Sequence, residues 1–291
     1  MSPRVIDSLA GIAARYDALF CDVWGVLHNG VAPFQPAVAA LQAFRAGGGK
    51  VVLLTNAPRP RGAIEAQLDE LGVPRDAWDT IATSGDAARV ALFTGAIGKK
   101  VYFMGEERDR VVLEPIQIVE NPVSIQTVGL ESAEGILCAG PEDPEADPAT
   151  WRPVLLSGKA RGLTLLCLNP DIVVDRGDRR QWCAGAVARM YEEMGGEALY
   201  FGKPHPPVYD LARRRLAELG VSAPDERILA VGDGVETDVS GAMGEGLDCV
   251  FVTGGIAAEE TKTGRDPDRA ALDDFLDRHQ TTATFAMGQL R

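Results

Sequence analysis

Residues 19–27 read Leu-Phe-Cys-Asp-Val-Trp-Gly-Val-Leu, an apolar run followed at once by a carboxylate and a turn. The apolar residues 19–21 are typical of a strand that is buried on both faces. Asp22 then lies at the carboxyl end of that strand, where open α/β sheets place their chemistry. Gly25 allows the backbone to turn tightly next to a ligand. Asp22 taken alone could be a nucleophile, a metal ligand or a cap of the turn.

Length, charge and cysteine content narrow the class of protein. The 291 residues are 46% hydrophobic and 24% charged, which is typical of a soluble globular protein with one large domain or two ordinary ones. The net charge of −13 argues against a nucleic-acid partner, because phosphate backbones bind clustered Lys and Arg. No apolar run approaches the roughly 20 residues needed to span a bilayer, so we expect no membrane partner.

Cysteine usage bears on the compartment. The five cysteines are scattered and form no CxxC pair, and the first residues lack the apolar stretch of a signal peptide. We therefore expect reduced thiols and a cytoplasmic protein. A monomer and a homodimer both remain open.

Strand and helix patterns alternate along the chain. A helix is predicted over 33–46 and a buried strand over 50–54, closed by Thr55 and Asn56. A strand–helix–strand unit makes a right-handed crossover and a parallel pair, which places Asp22 and Thr55 at the same sheet edge. Further helices are predicted over 5–17 and 181–194.

The alternation predicts a mostly parallel sheet with helices on both faces. We predict a Rossmann-like α/β core made of residues 1–86 and 184–291. Residues 87–183 have strands and helices of their own and are predicted to form an inserted α/β cap domain.

Four predicted strand ends supply residues for phosphoryl transfer: Asp22, Thr55, Lys203 and the segment 232–238 with Asp233 and Asp238. Carboxylates are the oxygen ligands that Mg²⁺ prefers. The metal and the lysine would neutralise phosphate charge, while the hydroxyl and backbone amides orient the phosphate. Asp22 would attack phosphorus and form an aspartyl-phosphate.

These segments resemble, in order and spacing, the four motifs of the haloacid dehalogenase-like hydrolases. Asp22 matches the nucleophile, Thr55 the phosphate-binding hydroxyl and Lys203 the lysine of the third motif. Asp233 matches the metal-binding acid and Asp238 the second acid of the last motif, which often supports the metal through water. The position of the predicted cap between the second and third motifs is similar to the class IIA, NagD-like subgroup.

The resemblance implies a Mg²⁺-dependent phosphatase that acts on a small phosphorylated metabolite, such as a sugar or a nucleotide. The implied metal set is Asp22, the backbone carbonyl of Trp24, Asp233 and Asp238. Further candidates for the substrate are Asn56, Arg59 and Asn169. Arg59, which lies between two prolines, could equally be a loop residue without a role in binding, and Asn169 could cap a turn.

Trp24 departs from the family, which usually has an acid–base Asp two residues after the nucleophile. An indole N–H is not acidic in the working range, so Trp24 can supply its carbonyl but no proton. The protein is then a slow phosphatase, one that prefers good leaving groups, or one that uses another acid such as His28. The alternative function is a catalytically weak phosphate-binding or regulatory protein that retains the fold.

Overall fold

A seven-stranded parallel sheet forms the core of the computed structural model, which describes residues 2–114 and 121–291. The strand order is β1-β14-β13-β12-β2-β3-β4, and all neighbouring strands in it are parallel. In chain order the strands of the molecule are β1 Arg4–Val5, β2 Ala18–Cys21, β3 Lys50–Thr55, β4 Thr80–Thr83, β5 Lys100–Met104, β6 Gln126–Thr127, β7 Gly135–Cys138, β8 Thr164–Cys167, β9 Val173–Arg176, β10 Arg179–Trp182, β11 Glu197–Tyr200, β12 Ile228–Gly232, β13 Asp248–Val252 and β14 Phe285–Met287.

The central strands are buried on both faces because successive side chains alternate between two apolar clusters. In β2, Leu19 and Cys21 pack into one cluster, whereas Ala18 and Phe20 pack into the other. A strand enclosed in this way reads as a continuous apolar run. This is why the run at residues 19–21 identifies the centre of the sheet.

Helices cover both faces of the core sheet. Val38 and Leu41 of α1 pack on one face, and Val208 and Leu272 of α6 and α8 pack on the other. The α-helices are α1 Gln35–Ala46, α2 Arg61–Glu70, α3 Ser84–Phe93, α4 Arg152–Ala160, α5 Ala184–Glu193, α6 Pro206–Glu218, α7 Ser240–Glu245 and α8 Arg269–Arg278. The predicted fold class, a parallel α/β core with a cap, is confirmed.

The cap has its own sheet, with strand order β11-β8-β7-β5-β6 and parallel neighbours. One face packs against α4 and α5 through Leu155, Val187 and Tyr191. The other face packs against α3 through Leu92 and Phe93. Strands β9 and β10 form a separate antiparallel hairpin.

One predicted helix is wrong, and a second is confirmed but begins three residues later than predicted. In place of a helix over 5–17, strand β1 pairs with β14, and two single 3₁₀ turns follow at Leu9–Gly11 and Ala13–Arg15. The partner strand lies near the other end of the chain, so no local pattern could indicate this pairing. The helix predicted over 181–194 begins at Ala184, because the preceding residues belong to the β9–β10 hairpin, whose turn contains Gly177 with φ of 59°.

The cap sheet continues beyond residue 183, where the sequence predicted the return to the core. Helix α5 packs on the cap sheet, and β11 pairs with β8 from Glu197↔Thr164 to Tyr200↔Cys167. We propose that the cap ends near Tyr200, because a sheet edge and a helix face together hold this segment.

The five cysteines are free and buried. Within the part of the chain that the structure describes, no helix is both long and apolar enough to cross a membrane.

Candidate active site

Three candidate residues follow adjacent strands of the core sheet. Asp22 follows β2, Asp233 follows β12, and Thr55 ends β3. Because β2 pairs with both β12 and β3 in parallel, these three residues meet at one edge. The prediction that Asp22 and Thr55 lie side by side at the sheet edge is confirmed.

Lys203 lies between two buried carboxylates. Its Nζ donates to Asp22 Oδ1 at 2.5 Å and to Asp238 Oδ1 at 2.7 Å. The lysine side chain is only 2% exposed, so both contacts are shielded from water. Asp22, Asp233 and Asp238 offer carboxylate oxygens that all lie within 4.8 Å of one another. The structure therefore brings together four of the predicted residues in one buried cluster.

Close backbone approach builds the floor of this cluster. A Cβ on Gly25, whose φ is 82°, would lie 2.1 Å from Asp233 Oδ2, and one on Gly255 would lie 2.0 Å from the same oxygen. A Cβ on Gly232 would lie 2.0 Å from Asp238 Cγ. These contacts are too short for any side chain, so glycine is required at each position.

The cluster contains three carboxyl groups and one lysine, so it would carry excess negative charge if every group were ionised. Burial raises the pKa of Asp233 to about 8, with Asp238 adding to the effect. Burial also raises the pKa of Asp22 well above its usual range, although Lys203 opposes this. Burial disfavours the charge on Lys203, but Asp22 and Asp238 outweigh it and hold the pKa of the lysine well above its ordinary value. One lysine thus balances only part of the charge of three carboxylates.

This donor set fits a divalent cation. The three carboxylates are hard oxygen donors, they are buried, and their excess charge is of the sign that a cation would neutralise. Asp238 is also held by the backbone N–H of Gly234, which donates to its Oδ2 at 3.1 Å. The carbonyl of Trp24 as a metal ligand stays a prediction.

Thr55 lines a cavity, whereas the Asn56 side chain is engaged in hydrogen bonds within the protein. Thr55 is buried at the end of β3 and lines the cavity that contains Asp22. The Asn56 amide accepts from the backbone N–H of Lys203 at 2.7 Å and donates to its carbonyl at 3.1 Å. It also donates to Asp171 Oδ1 at 2.8 Å. The Asn56 side chain therefore holds Lys203 and Asp171 in place, and its contact with substrate stays a prediction.

Two cavities meet above the sheet edge. One cavity, of about 200 Å³, is lined by the residues Asp22, Thr55, Lys203, Asp233 and Asp238 among others, and we call it the phosphate cavity for the group that the motif resemblance predicts there. The leaving-group cavity, of about 110 Å³, lies between core and cap and is lined by residues that include Arg59, Asp109, Asn169 and Trp182. The candidates Arg59 and Asn169 are thus placed away from the carboxylate cluster, on the side where an organic group would lie.

Arg59 faces a carboxylate of the cap. Its Nε lies 3.6 Å from Asp109 Oδ1, and its Nη2 donates to Gln67 at 2.7 Å. Burial raises the pKa of Asp109 to about 6 although Arg59 opposes this. Sequence reasoning missed Asp109, because residues 107–113 read as an ordinary polar helix and nothing local shows that this carboxylate is buried. Asn169 Oδ1 accepts the backbone N–H of Asp171 at 3.0 Å and so also caps the turn.

Trp24 and His28 lie together beneath the cap hairpin. Trp24 Nε1 donates to the carbonyl of Asp175 in β9 at 2.8 Å, and its ring meets that of His28 edge to face at 5.1 Å. His28 is buried, and its Nδ1 accepts the N–H of Gly30. Burial lowers the pKa of His28 to about 4, so its imidazole is neutral at neutral pH. A neutral, enclosed imidazole is a poor substitute for the missing acid.

Comparisons with known proteins identify the family of this chain. Residues 19–118 match the model of a family described as haloacid dehalogenase-like hydrolase, and residues 200–277 match a second, HAD-hydrolase-like model. A solved hydrolase of the haloacid dehalogenase-like family from Brucella suis 1330 is 38% identical, with a TM-score of 0.86 over 99% of this chain and 100% of that one.

Two curated relatives are similar to parts of the chain. D-glycerol 3-phosphate phosphatase of Mycobacterium tuberculosis is 24% identical over 257 residues, which span 85% of this chain and 66% of that protein. Dihydroxyacetone phosphatase of Corynebacterium glutamicum is 32% identical over 97 residues, which span 33% of this chain and 34% of that protein. The chain thus spans less than two thirds of the length of either relative.

Proposed function

This chain belongs to the haloacid dehalogenase-like hydrolase family, and from that membership we propose that it is a Mg²⁺-dependent phosphatase of a small organic phosphate. The proposed reaction proceeds through an aspartyl-phosphate on Asp22. The observation that carries the proposal is the buried contact of Lys203 with Asp22 and Asp238, with Asp233 beside them.

The proposed reaction assigns a task to each residue of the cluster. Asp22 attacks phosphorus from the rigid end of β2, and its attacking carboxylate is held by Lys203. Lys203 and the Thr55 hydroxyl bind and orient the phosphate oxygens. Asp22, Asp233 and Asp238, with the Trp24 carbonyl, would hold Mg²⁺. When bound there, the metal would supply positive charge against the developing charge of the phosphoryl group.

The proposed substrate is small. The leaving-group cavity of about 110 Å³ and the phosphate cavity of about 200 Å³ together reach only the lower end of the roughly 300–1,000 Å³ typical of sites for drug-sized ligands. Its wall carries Arg59, Asp109 and Asn169, which suit a polar organic group with hydrogen-bonding capacity. The matched relatives named for glycerol 3-phosphate and dihydroxyacetone support a substrate of a few carbons, so we infer a small polar phosphate monoester.

The alternative of a weakly catalytic binding protein has no observation of its own in its favour. Its motivation was Trp24, and a missing acid–base group costs typically about 10²–10⁴-fold rather than all activity. The nucleophile, lysine and carboxylates that remain are assembled in contact. We therefore propose turnover and make its absence an outcome of the test.

The test is hydrolysis of p-nitrophenyl phosphate by the full chain, with Mg²⁺ and with a chelator. We expect turnover with Mg²⁺ only, and in Asp22→Asn a loss on the order of 10⁴-fold or more, because the amide removes the attacking charge while it preserves shape. Asp69→Asn, on an exposed position of α2, is the matched control and should be unchanged. Comparable activity in Asp22→Asn and native protein would contradict the mechanism, and no Mg²⁺-dependent turnover at all would favour the binding-protein alternative.

A further inference from the structure

The proposed phosphatase lacks a proton donor at the position where its family usually carries one. Trp24 occupies that position, and its indole N–H is committed to the Asp175 carbonyl. His28 is neutral and enclosed. A leaving alkoxide must nevertheless be protonated, so another group is required if the protein hydrolyses alkyl phosphates efficiently.

A proton donor for the leaving group would lie at the junction of the two cavities. The scissile bond joins the phosphorus to the organic group, so the bridging oxygen of a bound substrate would lie where the phosphate cavity meets the leaving-group cavity. The residues that line both cavities are Trp24, Thr55, Asp171 and Val174. Asp171 is the carboxyl group among them.

The Asp171 carboxyl is held by one oxygen and leaves the other free. Its Oδ1 accepts from Asn56 Nδ2 at 2.8 Å, and its backbone N–H donates to Asn169 Oδ1 at 3.0 Å. Within residues 2–114 and 121–291, neither a hydrogen bond nor an ion pair engages its Oδ2. The Asn56 amide also forms two hydrogen bonds with the backbone of Lys203. One side chain therefore fixes the Asp171 carboxyl and the catalytic lysine relative to each other.

We propose that Asp171, supplied from the cap side after β8, is the general acid and base of this enzyme in place of the residue missing at Trp24. The inference rests on the proposed phosphatase function and adds a catalytic residue to it. Burial raises the pKa of Asp171 to about 6, against the opposing effects of Lys203 and Asn56. A carboxyl in that range can carry a proton for one step and accept one in the next.

Both half-reactions balance with Asp171 in this position. In the first, Asp22 forms a bond to phosphorus, the bond from phosphorus to the bridging oxygen breaks, and Asp171 gives its proton to that oxygen, so that the alcohol leaves. In the second, a water attacks the phosphorus of the aspartyl-phosphate and gives a proton to Asp171. The bond to Asp22 breaks, inorganic phosphate leaves, and Asp171 is again protonated.

Asp109 is the rival and the matched control. Its pKa is also raised by burial to about 6. Asp109 lines the leaving-group cavity but not the phosphate cavity, and its Oδ1 lies 3.6 Å from Arg59 Nε. It is therefore placed to contact the far part of the substrate. A raised pKa is common to Asp109 and Asp171, so the two are separated by their contacts and by the position of Asp171 at the junction of the cavities.

The experiment compares native protein, Asp171→Asn and Asp109→Asn on a series of aryl and alkyl phosphates with Mg²⁺, with kcat/KM plotted against leaving-group pKa. We expect a shallow dependence for the native protein and Asp109→Asn. Asp171→Asn should give a steep dependence, with a loss of about 10²–10⁴-fold on alkyl phosphates and a much smaller loss on p-nitrophenyl phosphate. Asn can keep the hydrogen bond from Asn56, and Asp171→Glu, which restores an acid, should be shallower than Asp171→Asn.

A second readout does not depend on turnover. During hydrolysis of p-nitrophenyl phosphate, acid-quenched Asp171→Asn should accumulate the covalent phosphoenzyme, seen by intact mass, because the second step has lost its base. An unchanged slope in Asp171→Asn, no phosphoenzyme, or a steeper slope in Asp109→Asn would overturn the inference. Absence of Mg²⁺-dependent turnover in the native protein would instead overturn the proposed function, and this inference with it.

Discussion

The phosphate side and the leaving-group side of the site are built in different ways. Asp22, Asp233 and Lys203 lie on the core, where adjacent parallel strands fix two of the three positions. Arg59 and Asp171 lie on loops and Asp109 lies on a 3₁₀ helix, where core and cap face each other. The first set is held by the sheet, whereas the second depends on how two units meet.

The two sides also differ in how the chain fits its family. The carboxylates and the lysine of the phosphate side resemble the family motifs, as expected if each proposed substrate presents a phosphate group there. The departure, Trp24, faces the cap and donates to the β9 carbonyl of Asp175. Under the proposed function, the phosphate is bound mainly by residues that follow core strands, whereas the leaving group is bound where core and cap meet.

The largest effect on stability and activity is expected at Lys203, the one lysine of the phosphate side. Lys203→Met leaves Asp22 and Asp238 buried without their partner, which should destabilise the metal-free protein by about 3–5 kcal/mol. Activity should fall by about 10²-fold or more, because the phosphate loses its fixed positive charge. Urea unfolding with a chelator and with Mg²⁺, together with kcat/KM, measures both.

Lys50→Met is the matched control for that variant. Lys50 lies 3.6 Å from Asp79 with a third of its side chain exposed, so its ion pair is worth at most about 1 kcal/mol. If Lys203→Met and Lys50→Met destabilised the protein equally, the buried contacts of Lys203 would be worth no more than a partly exposed ion pair, and this prediction would be wrong.

The next effect concerns Asp233 and pH. Because the pKa of Asp233 is raised to about 8, the folded protein binds more protons than the unfolded chain from about pH 4 to about pH 8. Stability of the metal-free protein should therefore fall as pH rises through that window. Asp233→Asn should remove this part of the fall and be more stable than native protein at pH 8. It should also weaken Mg²⁺ binding by at least about tenfold.

Thermal melts at pH 5 and pH 8, each with Mg²⁺ and with a chelator, measure the Asp233 effects. Asp69→Asn on α2 serves as the surface control. An unchanged Mg²⁺ titration in Asp233→Asn would remove this residue from the metal set.

The smallest effect is expected on the leaving-group side at Trp24. Trp24→Phe keeps a ring but removes the hydrogen bond to the Asp175 carbonyl, which is worth about 1 kcal/mol. Because this bond joins the core to the cap hairpin beside the site and not to the reacting atoms, KM should rise about fivefold while kcat changes little. Trp78→Phe is the matched control, since Trp78 Nε1 is buried without a hydrogen-bond partner among the residues that the structure describes. A large fall in kcat in Trp24→Phe would mean that Trp24 acts on the reacting atoms rather than on the cap.

Sequence patterns were sufficient to predict the parallel core sheet and the place of Asp22 and Thr55 at its edge. Apolar runs that alternate with amphipathic helices identify a parallel sheet, and parallel strands bring their carboxyl ends to one edge. This is why Asp22 and Thr55 could be placed together from pattern alone. Lys203 was found through its motif, because a lone lysine carries no local sign that it is buried.

The leaving-group side depends on contacts between distant segments, which no local pattern shows. The pairing of β11 with β8, the β9–β10 hairpin over Trp24 and the contact of Arg59 with Asp109 join residues far apart in the chain. Local sequence determines periodicity and turns, whereas burial depends on which distant surfaces cover a residue. Asp171 reads locally as the end of an Asn-Pro-Asp turn, and its place at the junction of two cavities exists only because the cap folds back onto the core.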